Sequence, residues 1–299
     1  MLGDQIKINT LLSDEQLWLG ALSYSLPLGA SGLRGNVGYA HTRYELAKEF
    51  VGNDGTAKVA SVGLSYPLVR SQKTNLTLSG TYQEKDFQDN KLGTPEIKSS
   101  QSVPLALQFD HRDSAGGGIT YGSVSWTPGK LKLDAGLTAL DTINTRGSFN
   151  KLNLDLVRLQ SLPAGFSLMG RISLQSASKN LDSSEKMSLG GAGAVRAYPT
   201  GEAIGDEGVL AQLELRYSAG AYAPYVFVDG GRIKTNAKPT DPAANNKRSL
   251  GGAGVGLRYQ RNAWSADAAL AWRGIGGAPQ ADTSSDPKPR VWVNLGYRF

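Results

Sequence analysis

"RVWVNLGYRF", Arg290 to Phe299, reads as two interleaved sequences. Val291, Val293, Leu295, Tyr297 and Phe299 are apolar, and Trp292, Asn294, Gly296 and Arg298 fall between them. A period of two sends alternate side chains to opposite faces of an extended chain, so this is a strand with one wholly apolar face. The pattern recurs upstream. Trp264, Ala266, Ala268, Leu270 and Trp272 alternate with Ser265, Asp267, Ala269, Ala271 and Arg273. Val209, Ala211, Leu213, Leu215 and Tyr217 face away from Gln212, Glu214 and Arg216, while Phe166, Leu168, Ile172 and Leu174 oppose Ser167, Arg171 and Gln175. The second face carries full charges on neighbouring strands.

A soluble sandwich buries its apolar faces and exposes its charges. A membrane barrel turns its apolar faces to lipid and its polar faces inward, with aromatic residues at the rims. Trp18, Tyr24, Tyr217, Tyr259, Trp264 and Trp272 stand near strand ends on apolar faces, as an aromatic girdle requires. Connection lengths decide between the two. Strands are expected near 4–12, 17–28, 33–45, 56–69, 75–87, 99–112, 117–127, 147–160, 165–176, 207–218, 222–232, 249–260, 263–273 and 290–299. From the second strand onward short turns ("GASG", "SQKTN", "SAGGG", "LPAG", "AGA", "QRN") alternate with long segments near 46–55, 88–98, 128–146, 177–206, 233–248 and 274–289. Short turns on one side and long loops on the other predict an all-β, transmembrane antiparallel barrel of about 14 strands.

Composition agrees and narrows the chemistry. The 299 residues could hold one large β domain or two ordinary ones. The sequence has no cysteine, which removes disulfides, thiolate metal sites and cysteine nucleophiles. A net charge of +6 from scattered Lys and Arg argues against a nucleic-acid partner. Met1-Leu2-Gly3-Asp4 opens into strand-like sequence with neither the charged nor the apolar region of a signal peptide. His41 and His111 are too far apart in sequence to suggest a metal site. "FDHRD" gathers Asp110, His111, Arg112 and Asp113 beside a short turn, which the aspartates are expected to cap. No serine motif or carboxylate dyad accompanies it, so no catalytic residue, enzyme activity, cofactor or metal is expected.

The longest connection holds "SLGGAGAVRAYPTGEAIGDEG", Ser188 to Gly208. Glycine and proline alone would fit a surface loop. A phosphate cradle fails, because neither G-x-x-x-x-G-K-[ST] nor G-x-G-x-x-G at a strand-to-helix junction is present. The segment resembles the sixth extracellular loop of two-partner secretion outer-membrane transporters, the TpsB family. Its V-R-G-[FY] hallmark is matched by Val195, Arg196, Ala197 and Tyr198, with alanine where glycine is usual. "FVDGG" supplies the family's F-x-D-x-G as Phe227, Asp229 and Gly231. The likeness extends from "DQIKINTLL" at the start to "VNLGYRF" at the end, where Tyr297 and Phe299 resemble the signal read by the barrel assembly machinery.

The resemblance implies a loop folded inward into the lumen. Arg196 would pair with Asp229 on the inner wall, and small residues from Gly190 and Gly191 to Ala194 would let the loop tip lie close to that wall. It implies an outer-membrane pore of a Gram-negative bacterium, monomeric and surrounded by outer-membrane lipid. Its partner would be a large unfolded exoprotein of TpsA type, such as a haemolysin, haemagglutinin or adhesin. Complete members carry a signal peptide, a plug helix, two POTRA domains and sixteen strands. Residues 1–299 are therefore expected to be the barrel domain alone, lacking those modules and the first hairpin. An insertase of the same superfamily and a cargo-free structural or receptor barrel are the other readings.

Overall fold

The computed structural model describes residues 3–12, 17–45, 53–91, 93–113, 116–282 and 286–298. In chain order the elements are β1 (Gln5–Leu12), β2 (Trp18–Pro27), β3 (Arg34–Glu45), β4 (Asn53–Arg70), β5 (Thr74–Lys91), β6 (Thr94–Ser102), β7 (Leu105–Arg112), β8 (Gly118–Leu133), α1 (Ala135–Leu140), β9 (Gly147–Ser161), β10 (Phe166–Ala177), β11 (Met187–Ser188), β12 (Ile204–Gly205), β13 (Glu207–Tyr217), β14 (Tyr222–Lys234), β15 (Lys247–Arg261), β16 (Trp264–Ile275) and β17 (Arg290–Tyr297). Fifteen strands form one sheet, and every described ladder in it is antiparallel. β11 and β12 make a separate two-stranded ladder. Among the described residues no helix is long and apolar enough to cross a membrane.

The chain divides into two compact units. The first holds Met1–Ser71, Asn75–Gln108 and Ser125–Lys151. Within it β1 to β6 pair in sequence, each strand bonded to the next. The second holds Gln72–Thr74, Phe109–Val124 and Leu152–Phe299. There the ladder runs β10, β13, β14, β15, β16, β17, and all of the candidate site lies in this unit.

Burial in the second unit is the reverse of a soluble protein's. Along β13 the exposed residues are Val209, Ala211, Leu213, Leu215 and Tyr217, whereas Leu210, Gln212 and Glu214 are buried. Along β14 from Tyr222 to Asp229 the exposed residues are Tyr222, Pro224, Val226 and Val228, and the buried ones are Tyr225, Phe227 and Asp229. Carboxylates inside and aliphatic side chains outside suit a wall that separates lipid from a polar interior. Three cross-strand aromatic pairs mark the short-turn ends on the apolar face. Phe166 meets Tyr217 at 5.0 Å, Tyr222 meets Tyr259 at 5.2 Å and Trp264 meets Tyr297 at 4.8 Å between ring centroids. Each pair sits directly opposite in register. Amphipathic rings in such a row fit a membrane interface.

The structure corrects several boundaries. The strand expected at 99–112 is two, β6 and β7, broken at Val103-Pro104, because proline has no N–H to give the ladder. The long segment expected near 88–98 is a tight tip, since β5 continues to Lys91 and β6 begins at Thr94. Lys91 pairs with Glu96 at 2.7 Å across this hairpin, while Asp89 accepts the Tyr44 hydroxyl of β3 at 2.5 Å and Asn90 donates to Asp54 of β4 at 3.1 Å, so polar pairs tie the β5 end on both sides. Strict alternation of short and long connections fails at that point. Part of the loop expected at 46–55 lies outside the described residues, and β4 begins at Asn53. The connection after β8 contains α1, which Asp134 caps by accepting from the Leu137 N–H at 2.7 Å. The Asp113 carboxylate pairs with Arg158 in two contacts, one of them at 2.9 Å, and part of the turn that the aspartates were expected to cap lies outside the described residues.

Leu213 sits mid-strand on the exposed apolar face and tests which face meets lipid. Leu213→Arg is expected to cost about 2–4 kcal/mol in reversible folding into bilayers, measured by urea titration. A negligible change would show that this face does not contact hydrocarbon.

Candidate functional site

Residues 178–206 leave β10 and return over the buried, polar face of β13 to β17, the inner face of this unit. The loop first closes on itself. Met187 pairs with Gly205 and Ser188 with Ile204 in the β11–β12 ladder. The Gly190 N–H then donates to Glu202 O at 3.0 Å, Val195 N–H to Leu189 O at 2.7 Å and Gly191 N–H to Tyr198 O at 3.1 Å. Gly190 is required for this closure, because a Cβ there would stand 2.1 Å from Pro199 O.

Gly190 and Gly191 thus serve the loop's own fold, while Gly193 and Ala194 lie beside the wall. A Cβ on Gly193 would meet nothing within 4 Å. Gly193 and Ala194 meet the wall through their carbonyls, accepting from Arg171 at 3.3 Å and Gln212 at 2.8 Å, and Ala194 also packs against the apolar cluster. The main contact surface is apolar. Leu189, Val195, Ala197 and Tyr198 are buried in one cluster with Leu210, Tyr225, Phe227 and Leu250 of the wall. Ala197 sits where the family pattern has glycine, and it is not among the residues with positive φ. Its methyl lies 2.5 Å from where a Cβ on Gly252 would be, so β15 supplies the space that this alanine takes. Gly231 does the same for Leu189, whose Cδ2 is 2.7 Å from the position of its absent Cβ.

Arg196 is 6% exposed, and the wall carboxylates of Asp229 and Glu214 are 2% and 1% exposed. Its Nε donates to Asp229 Oδ2 at 2.8 Å and its Nη2 to Asp229 Oδ1 at 2.9 Å, the two-pronged geometry that a guanidinium allows. The backbone N–H of Arg196 adds a third bond to Asp229 Oδ2 at 3.2 Å. Nη1 reaches Glu214 Oε2 at 3.0 Å. The guanidinium carbon lies 3.4 Å from the Phe227 ring centroid, so the phenylalanine of "FVDGG" forms the floor under the charge. Burial works against the charged form, yet Asp229 and then Glu214 outweigh it and hold the group above its ordinary pKa.

The pair is one part of a larger network. Glu214 also accepts from Arg216 at 2.5 Å and pairs with Arg258 at 2.7 Å. Arg258 donates to Asp267 at 2.7 Å, and the Tyr225 hydroxyl donates to the same carboxylate at 2.7 Å. Arg196, Arg216 and Arg258 thus face Asp229, Glu214 and Asp267, and the formal charges cancel.

Further bonds hold the loop backbone. Trp292 Nε1 donates to Arg196 O at 2.7 Å, and the Tyr198 hydroxyl lies 2.7 Å from Ile275 O. Glu202, fully buried, accepts from Gln280 N–H at 2.9 Å and Ala281 N–H at 2.7 Å and pairs with Arg248. Asp206, equally buried, accepts from Leu181 N–H at 3.1 Å and Ala237 N–H at 2.8 Å.

Val195, Arg196, Ala197, Tyr198, Phe227, Asp229 and Gly231 are thus brought into one site, with Gly190 and Gly191 behind it. Tyr297 stands apart, on the aromatic row, and Phe299 lies outside the described residues. Sequence reasoning missed Glu214, Arg258, Trp292, Glu202 and Asp206 as parts of the site. Trp292 offered a signal, as a lone large aromatic on an otherwise polar face.

Gly252→Val should force Ala197 off the wall. In a chain without native cysteines, Val195→Cys reports this: maleimide labelling, slow while the loop is docked, is expected to accelerate at least tenfold with Gly252→Val (order of magnitude, from the local strain of overpacking). Arg196→Ala leaves Asp229 without its main partner and is expected to lower unfolding stability by about 3–5 kcal/mol, read by urea titration. A loss under 1 kcal/mol, in the range of exposed pairs, would show that the pair does not hold the loop.

A family model for haemolysin secretion/activation proteins, ShlB/FhaC/HecB, matches residues 12–259. The heme/hemopexin transporter protein HuxB of Haemophilus influenzae (strain 86-028NP) is 25% identical over 271 residues, covering 86% of this chain and 48% of HuxB. The outer membrane transporter CdiB of Dickeya dadantii is 23% identical over 263 residues, covering 83% of this chain and 46% of CdiB. The chain thus spans about half the length of the curated relatives it matches. Among solved structures, CdiB from Escherichia coli superposes with a TM-score of 0.79 at 18% identity, over 98% of this chain and 56% of that one. The shared fold is an outer-membrane β-barrel, and the family match covers the motif loop and the "FVDGG" strand. The chain belongs to the ShlB/FhaC/HecB family of haemolysin secretion/activation proteins, the TpsB transporters of the outer membrane.

Proposed function

We propose that the chain is the pore through which a large, unfolded exoprotein of haemolysin, haemagglutinin or adhesin type crosses the outer membrane in two-partner secretion. The observation that supports this best is the buried Arg196 on a loop held against the inner face by Asp229 and Glu214. A wall needs no such loop to be stable as a wall, whereas a conduit needs an element that occupies the path and can yield. The loop's contacts suit that task. They combine a specific ionic anchor with an apolar footprint, so the loop has one docked position, and passage of a chain along this face requires its withdrawal.

The inner face offers charges and hydrogen-bonding groups, which keep an unfolded chain hydrated as it moves. The sequence contains no nucleotide-binding motif, and the periplasm holds no ATP. Folding of the cargo outside draws the chain outward, because a folded exterior segment no longer competes for re-entry. The pore acts as a monomer and performs no catalysis in this reading. Its residues 1–299 supply the translocation domain, and Tyr297 with Phe299 is read by the assembly machinery.

Two measurements test the reading. Purified protein in planar bilayers should conduct, and a matching unfolded exoprotein should block the current in a concentration-dependent way. A pore indifferent to every exoprotein offered would overturn it. In a complete transporter, Arg196→Lys should abolish secretion while insertion into the membrane persists, since an ammonium cannot make the forked pair with Asp229. Unimpaired secretion would remove Arg196 from the mechanism.

A further inference from the structure

The ladder registers place five residues in one row across the inner face. Arg171 on β10 is opposite Gln212 on β13, Gln212 is opposite Asp229 on β14, Asp229 is opposite Gly252 on β15, and Gly252 is opposite Arg273 on β16. Asp229 therefore has an arginine two strands away on either side, each at a spacing of about 10 Å. In the docked state neither is needed, because Arg196 occupies both carboxylate oxygens.

Withdrawal of the loop tip affects the two wall carboxylates unequally. Glu214 keeps Arg216 at 2.5 Å and Arg258 at 2.7 Å. Asp229 loses all three bonds from Arg196 and, among the described residues, keeps the Gln212 amide at 3.3 Å. A buried carboxylate left in that condition is costly, and it draws in any cation within reach.

We infer that Arg273 is the second partner of Asp229, taking over its carboxylate when the loop tip leaves. Three observations favour Arg273 over Arg171. Gly252 has no side chain to stand between Asp229 and Arg273, and the methyl that fills this gap belongs to Ala197, which departs with the loop. Arg171, by contrast, would have to cross Gln212, which already donates to Asp229, and it is held by Asp155 at 3.1 Å on the other side.

The third observation concerns what Arg273 gives up. Its guanidinium faces the Tyr198 ring at 5.7 Å, a contact that is also lost when the loop goes. Its carboxylate partner is Asp286 at 2.6 Å, and that side chain is 37% exposed and has Lys288 at 3.6 Å as a second cation. Arg273 gives up this half-exposed pair and a bond to Gly277 O at 3.1 Å, and in exchange it removes an uncompensated buried charge, the larger penalty. The arrangement is a relay. Arg196 and Arg273 hold the same carboxylate in turn, so the undocked state is not penalised by an orphaned charge and the loop can leave without destabilising the wall.

The inference rests on loop withdrawal as proposed above, and its test separates the two. Residues 190–201 are replaced by a short Gly-Ser linker, which removes Arg196 and Ala197 whether or not the loop withdraws during transport. In that chain Asp229→Asn and Arg273→Gln are combined in a double-mutant cycle on the unfolding equilibrium, measured in urea. Each single change should shift the equilibrium roughly tenfold and the double change no further, since both remove one interaction. In the unaltered chain the Asp229→Asn and Arg273→Gln effects should simply add. If the linker variant fails to fold, Arg196→Ala combined with Ala197→Gly in the full chain, which clears both the guanidinium and the methyl from the gap, serves as the background. Additivity in the loop-depleted background, or coupling of Asp229 to Arg171→Gln instead, would overturn the inference. Withdrawal is read separately by labelling of Val195→Cys during cargo passage. Persistent protection there overturns withdrawal while leaving the Asp229–Arg273 result to stand by itself.

Discussion

A guanidinium removed from water must be met by charge, and that requirement organises this site. Arg196 is buried against Asp229, Glu214 and the Phe227 ring, and each of these sits on the inward face of its strand because of the period-two alternation. A shift of one residue in the β13–β14 register would turn Asp229 or Glu214 toward the apolar face. The lock is therefore also a register mark. The same applies to Gly252 and Gly231, whose bare backbone admits Ala197 and Leu189 only in this alignment.

The wall and the loop solve complementary problems. The wall exposes Val209, Leu213, Val226 and Val228 and buries Gln212, Glu214 and Asp229, which suits hydrocarbon outside and a polar partner inside. Part of that partner is the loop, which brings one cation for two wall carboxylates and an apolar surface for Leu210, Tyr225 and Leu250. Wall cations complete the balance, with Arg216 and Arg258 on Glu214 and Arg258 on Asp267. At its outer base the loop is tied through Glu202 and Asp206 to backbone N–H groups of the neighbouring connections. Docking thus joins two layers, a specific ionic tip and a hydrogen-bonded base.

Much of this was legible in the sequence for a physical reason. Lipid outside and polar groups inside impose alternation on each strand, and alternation is written residue by residue. Arg196 and Asp229 were visible as a pair because each stands in a short motif. Glu214 was visible as an inward polar residue, but its role was not, since the sequence does not carry the cross-strand register that puts it beside Arg196. The extension of β5 to Lys91 was hidden because its end pairs polar residues on both faces, which reads as loop. Pro104 divided one expected strand into two by a missing N–H whose position in the ladder only the structure supplies. The glycines of 190–194 were legible as a need for close approach. What Gly190 and Gly191 approach is the loop itself.

The central claim is that Arg196 is sequestered from water and held by the wall carboxylates. Hydrogen exchange of its guanidinium Nε–H, followed by nitrogen-15 NMR of the protein in lipid bilayers, measures this directly. The account predicts one slowly exchanging Nε–H resonance that vanishes in Arg196→Lys and exchanges rapidly in Asp229→Asn. A resonance exchanging at the rate of a free arginine in the unaltered chain would contradict it.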